Sequence, residues 1–178
     1  RARRHDPGAL AALVDTYSPR VFGLLYRLTG SRETAEDLAQ ETFLRVVRAI
    51  ADYVHTDRFE VWLFRIAANL ARDRARSSKR RGVVLRLDGP GDDSGPRDLR
   101  DDSSERPGDR LEQSEDVRRL NECLETLPEI DREIILLRHF SELSFKEIAE
   151  LLQIPLGTAL ARAHRALGKL KQGLGEVG

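Results

Sequence analysis

The sequence predicts an all-α fold made of two small helical domains joined by a flexible acidic linker. Three observations carry that prediction. Apolar residues recur at i, i+3 and i+4 through residues 1–81 and again through 117–178, and no stretch of useful length alternates as a strand does. Between them, Leu87-Asp88-Gly89-Pro90-Gly91-Asp92-Asp93-Ser94-Gly95-Pro96 and Arg106-Pro107-Gly108-Asp109 hold helix and strand breakers with few apolar residues to offset the entropy of ordering, which is linker chemistry. Charge is also distributed in blocks. The total is balanced at 30 basic and 30 acidic residues, yet 1–81 holds 16 and 10, 82–116 holds 5 and 11, and 117–178 holds 9 and 9.

In the first domain, Asp6 ahead of Pro7 is a cap followed by a first-turn proline. It predicts a helix to about Tyr17, with a second from Ser18-Pro19 to about Thr29. Gly30 and Ser31 punctuate. From Ser31, the apolar set Ala35, Leu38, Ala39, Phe43, Val46, Val47 and Ile50 makes one face of about four turns. Its opposite face holds Asp37, Gln40, Glu41 and Arg45, which read by themselves as solvated i, i+4 pairs. After 52–57, a helix over 58–81 places Phe59, Trp62, Leu63, Ile66, Ala67 and Leu70 on one stripe and Arg65, Asn69, Asp73 and Arg76 on another. Its end is basic, with Arg72, Arg74, Arg76, Lys79, Arg80 and Arg81 against Asp73. Phe59, Trp62 and Phe64 upstream of Asn69 and these cations form a mixture suited to stacking on and holding unpaired bases, although Trp62 itself falls on the apolar stripe.

The second domain opens with Val117, Leu120, Leu124 and Leu127, and Pro128 ends that helix. A further helix follows through Ile130, Ile134 and Leu137. Ser144-Phe145-Lys146-Glu147 is a capping box, and Leu143 with Ile148 supplies the matching hydrophobic staple, so a short helix is expected over 145–152. Gln153-Ile154-Pro155 interrupts, and a helix from about Pro155 to Gln172 is expected to turn Ala159, Ala163, Ala166, Leu167 and Leu170 inward and to stop before Gly173. Two helices joined by a three-residue turn, with the small Ala149 at their crossing, are a helix-turn-helix. Such a unit lays its second helix in the DNA major groove, where Arg162, His164, Arg165 and Lys169 would meet base edges and phosphates.

Several function classes are disfavoured. No Gly-rich phosphate loop follows a strand, and neither a nucleophile elbow nor an HExxH motif is present, so no enzyme is expected. His5, His55, His139 and His164 share no ligand spacing with one another or with Cys123, so neither metal nor cofactor is expected. The lone Cys123 allows no internal disulfide. No apolar run reaches the length of a membrane span and no signal segment opens the chain, which predicts a cytoplasmic protein, and the absence of Met implies a trimmed start. Composition and periodicity leave two alternatives, a stand-alone helix-turn-helix regulator and a helical adaptor that binds only proteins.

Four motifs occur in order: Asp37-Leu38-Ala39-Gln40-Glu41-Thr42-Phe43-Leu44-Arg45, Trp62-Leu63-Phe64-Arg65-Ile66-Ala67-Ala68-Asn69, Leu127-Pro128, and Ile154-Pro155-Leu156-Gly157-Thr158. On these residues the chain resembles the extracytoplasmic-function (ECF) sigma factors of bacterial RNA polymerase. The resemblance implies a transcription initiation factor with region 2 in 1–81, a linker in 82–116 and a region 4 helix-turn-helix in 117–178. It implies that Asp37, Gln40, Glu41, Phe43 and Arg45 dock on the clamp helices of the polymerase beta-prime subunit. It implies capture of the melted −10 non-template strand by Arg65, Asn69, Asp73, Arg76, Lys79 and Arg80. For region 4 it implies contact with the beta flap and reading of the −35 duplex by Thr158, Arg162, His164 and Arg165. An anti-sigma factor is an implied partner, and the acidic linker is implied to thread the path of the transcript, with masking of the basic faces in the free protein as the alternative.

The resemblance is looser in the last helix. Where the family runs Gly-Thr-Val-Lys-Ser-Arg-Leu-His-Arg-Ala, this chain has Gly157-Thr158-Ala159-Leu160-Ala161-Arg162-Ala163-His164-Arg165-Ala166. Two polar base-facing positions have become Leu160 and Ala161. This removes polar discrimination of about 1–3 kcal/mol per good contact and leaves contact with a thymine methyl as an alternative. Gln153 occupies a position where the family often has Gly and must adopt a left-handed turn.

Overall fold

The computed structural model describes residues 6–53, 58–87 and 115–175, with the side chains of 81–87 and of Asp116 left aside. These residues form seven α-helices: α1 Pro7–Thr29, α2 Arg32–Ala49, α3 Phe59–Leu87, α4 Glu115–Glu125, α5 Glu129–Ser141, α6 Phe145–Leu152 and α7 Leu156–Gly175. No strand occurs among the described residues. Two compact units result: α1, α2 and α3 from Arg65 onward form the first, and α4–α7 with the start of α3, up to Phe64, form the second. Most of the expected linker, 88–114, lies outside the described residues.

In the first unit the Asp6 carboxylate accepts hydrogen bonds from the Gly8 and Ala9 amides (3.0 and 3.4 Å), so the first orphan donors of α1 are satisfied. The break expected at Ser18-Pro19 does not occur, and one helix of 23 residues runs through Pro19. A proline inside a helix costs about 3 kcal/mol. Val21, Leu24 and Leu25 lie just beyond it and are fully buried, at about 1.5–3 kcal/mol each. Continuing the helix is what puts those three side chains in the core, and their burial outweighs the proline. Gly30 closes α1 at φ 68, where a side chain would be strained, and its N–H donates to the Tyr26 carbonyl at 2.9 Å.

α2 packs on α1. Ser31 caps it by accepting from the Thr34 amide at 3.2 Å. Ala35, Thr42 and Val46 are buried, and the Thr42 hydroxyl is satisfied within the helix by the Leu38 carbonyl at 2.7 Å. α3 extends to Leu87, six residues past the expected boundary at 81, and Gly82 does not stop it, since one glycine inside a helix costs only about 1 kcal/mol. Phe64 is fully buried, so it belongs to the core rather than to a base-stacking surface.

In the second unit α7 packs against α4, α5 and α6. Leu124, Leu127, Ile134, Leu137, Leu143, Ile148 and Leu151 supply the core, with Ala159, Ala163, Ala166 and Leu170 of α7 closing over it. Leu143 and Ile148, the staple pair, are both buried. α5 ends at Glu142, left-handed at φ 58, and the Arg138 guanidinium donates to the Glu142 and Leu143 carbonyls (3.2 and 2.9 Å) while lying over the Phe145 ring. The capping box at Ser144 is complete. Gln153 adopts φ 57, ψ 43, and the N–H of Ile154 donates to the Ala149 carbonyl at 3.0 Å.

Two expectations for α7 are corrected. The helix does not stop before Gly173 but runs to Gly175. A Cβ on Gly173 would lie 2.6 Å from Cys123 Sγ, so the residue serves as a point of close approach between α7 and α4 rather than as a terminator. Leu167 is not inward. It is 53% exposed, because each step of four residues advances about 40° around a helix, which carries it past the arc that ends at buried Ala163.

Candidate functional site

Three helix faces present the residues singled out by sequence. On α2, Asp37, Gln40 and Arg45 are exposed, and Glu41 and Phe43 are half-buried. Arg45 Nε donates to Glu41 Oε1 at 2.7 Å, one turn apart. With the two side chains 51% and 39% exposed, that pair contributes little to stability and is available to a partner. Leu44 lies in the middle of this face at 50% exposure. Composition could not flag it. The signal lies in the spacing: Leu44 stands seven residues from Asp37 and four from Gln40, on the polar stripe rather than on the stripe with Val46.

On α3, Arg65, Asn69, Asp73 and Arg76 are all exposed along one line, and Leu63, Phe64, Ala67, Ala68, Leu70 and Ala71 are buried behind them. Arg72 Nη1 donates to Asn69 Oδ1 at 2.9 Å, fixing the amide against the helix surface. Arg76 stands 3.9 Å from Asp73, a loose pair with both side chains about two-thirds exposed. Lys79 and Arg80 extend the line, exposed, both about one turn beyond Arg76. Trp62 is half-buried, its ring 5.8 Å from that of Phe59.

The third face is the start of α7. Thr158 is half-buried, and His164 and Arg165 are exposed. Arg162 is different. Its Nη1 donates to Asp131 Oδ1 at 2.8 Å, its Nε is buried, and the Asp131 side chain is 6% exposed. The guanidinium therefore ties α7 to the first turn of α5. Leu156 and Leu160 are 44% and 45% exposed, and Gly157 and Ala161 are exposed beside them.

α6 sets the approach of α7. Its capping box has a titration consequence, because the Ser144 hydroxyl and amide both donate to the Glu147 carboxylate and hold its pKa below the ordinary range. Among the described residues no group of His, Cys, Asp and Glu is arranged to hold a metal ion, and no helix is long and apolar enough to cross a membrane.

Residues 13–81 match the model of Sigma-70 region 2, and residues 118–170 match that of Sigma-70 region 4. The chain is 33% identical over 182 residues to the ECF RNA polymerase sigma factor SigW of Bacillus subtilis (strain 168), covering 99% of this chain and 95% of that protein. The chain belongs to the ECF sigma factors. This sigma factor is also 32% identical over 170 residues to the RNA polymerase sigma-H factor of Pseudomonas aeruginosa, covering 93% and 86% of the two chains. Its fold matches that of CnrH, solved in complex with the cytosolic domain of CnrY, with a TM-score of 0.70 at 23% identity over 99% of this chain and 94% of that one. As an ECF sigma factor it is a transcription initiation factor that directs RNA polymerase to promoter DNA.

Proposed function

We propose that the three faces divide the work of initiation among them. The α2 face, Asp37, Gln40, Glu41, Phe43 and Arg45 with Leu44 at its centre, docks on the beta-prime clamp helices of core polymerase. The α3 face, Arg65, Asn69, Asp73 and Arg76 with Lys79 and Arg80, captures the melted −10 non-template strand. α7 docks on the −35 duplex through Thr158, His164 and Arg165, while Arg162 holds the helix in place through Asp131. The observation that carries the proposal is the α3 face: an amide and four cations, with Asp73 among them, exposed in line over a buried apolar backing.

Unpairing a base costs a few kcal/mol. Stacking contributes about 1–3 kcal/mol per base, and phosphate contacts add an attraction that weakens with salt. The protein thus acts by binding and not by catalysis, without a cofactor, and works in the cytoplasm alongside the polymerase. Region 4 touches the beta flap, and an anti-sigma factor holds the protein inactive by covering these same faces. A sigma factor solved in complex with an anti-sigma factor among the structural relatives supports a partner of that kind.

The test is a double substitution, Asn69→Ala with Arg76→Ala, assayed by permanganate reactivity of promoter thymines with core polymerase at fixed salt. Opening is expected to be lost while binding to core polymerase is retained. Unchanged opening would remove the α3 face from the mechanism. Tight promoter-duplex binding by the free protein, with no polymerase dependence, would favour the stand-alone regulator.

A further inference from the structure

The start of α7 holds an unusual set of exposed side chains for a helix that faces DNA. Leu156 and Leu160, one turn apart, are 44% and 45% exposed, and Gly157 and Ala161 are exposed next to them. A Cβ on Gly157 would meet nothing within 4 Å, so this side of the helix is open. The guanidinium at hand, that of Arg162, is turned away to Asp131. Donors on this side are therefore left to Thr158, His164 and Arg165, with His164 one turn beyond Leu160 on the same face.

We infer that Leu156, Leu160 and Ala161 form an apolar reading edge that selects thymine methyl groups in the major groove of the −35 duplex. The inference rests on the proposed docking of α7 on DNA and specifies what that helix reads. In the major groove, a T·A pair is the pair that presents a methyl group, and apolar side chains are its natural complement.

Charge selects the occupant. Residues 151–175 contain no Asp or Glu and carry Arg162, Arg165, Lys169 and Lys171, which suits a polyanion and repels a second copy of the same helix. Reach agrees. Leu156 to Ala161 spans about 8 Å of helix axis, within a major groove about 12 Å wide. Leu167 and Leu174, at 53% and 43% exposure, continue the same line, but the full line from Leu156 to Leu174 is about 27 Å long and extends beyond the groove. The bases are thus met by the first two turns alone.

The experiment uses the full chain with core polymerase on a promoter library randomised across the −35 region, at stated salt. Wild-type protein is expected to enrich T·A pairs at adjacent steps. Replacing the selected thymines by deoxyuridine, which deletes only the 5-methyl group, is expected to weaken binding about fourfold per contacted methyl. Leu160→Ala should be less sensitive to the same replacement than the wild-type protein, and Leu160→Lys should move the preference towards G·C pairs, as the donor of a Lys pairs with guanine.

Equal binding of thymine and deoxyuridine promoters by the wild-type protein would overturn the inference. If −35 enrichment is present without methyl dependence, α7 still docks on duplex and only the apolar edge fails. If no −35 preference emerges while −10 selection persists, the docking itself fails with it. If Leu156→Ala and Leu160→Ala, like Leu167→Ala and Leu174→Ala, weaken polymerase binding without DNA, the leucines are a protein seam and the inference is wrong.

Discussion

Arg162 Nη1 lies 2.8 Å from Asp131 Oδ1, joining α7 to the first turn of α5 through a carboxylate that is almost wholly buried. This one contact changes the reading of the DNA-facing helix. In a linear sequence Arg162 stands among His164, Arg165 and Lys169 and counts as one more cation for DNA. In the folded unit it neutralises a buried charge, and its place on the outer face is left to apolar side chains.

Arg162→Ala is accordingly expected to destabilise the second unit by about 1–3 kcal/mol, since it leaves the Asp131 carboxylate buried without its charged donor. Hydrogen exchange of the α5 and α7 amides in the full chain checks this. Asp131→Ala in the same background should recover part of the loss, because the two residues act as a coupled pair. Additive losses would show the pair to be incidental.

Two glycines of α7 should respond in opposite directions to alanine. A Cβ at Gly168 meets nothing within 4 Å, so Gly168→Ala should stabilise the helix by up to about 1 kcal/mol. At Gly173 the same atom would lie 2.6 Å from Cys123 Sγ. The overlap is expected to outweigh the propensity gain and to cost about 1–3 kcal/mol. Thermal unfolding of Gly173→Ala with and without Cys123→Ala settles the cause, as removing the sulfur should restore most of the loss.

The capping box predicts a pH dependence. Glu147 has its pKa lowered in the folded state by the Ser144 hydroxyl and amide. Its contribution is therefore fully present above the ordinary carboxylate range and is lost as pH falls through the lowered folded value. Wild-type protein should exceed Glu147→Gln in stability at neutral pH, and the gap should close in acid. Ser144→Ala should cost about 1 kcal/mol and flatten that dependence. Protection of the α6 amides, followed across pH, reads both effects.

Leu44→Ala should weaken binding to core polymerase about 10- to 100-fold, the effect of losing one leucine from a buried contact. Helical content should be unchanged, since the side chain is already half in solvent. A binding titration against core polymerase alone, without DNA, isolates the effect. An unaltered affinity would move the docking surface off this face.

The sequence by itself determined every helix start that a side chain caps. Asp6, Ser31 and Ser144 each bond to amides within three residues, so these signals are local and need no tertiary context. The two families of apolar positions and the ordered motifs of the ECF sigma factors were equally legible, because each is carried by residues a few positions apart. Tertiary structure decided the rest. Pro19 stays inside α1 because the burial of Val21, Leu24 and Leu25 outweighs its cost, and Phe64 leaves the stacking surface for the core. Leu167 faces outward, Arg162 faces inward, and Gly173 is a contact rather than a stop. Periodicity names the residues that share a face of a helix, but how wide an arc is covered, and which charge meets which, depends on neighbours brought in from 30 or more residues away.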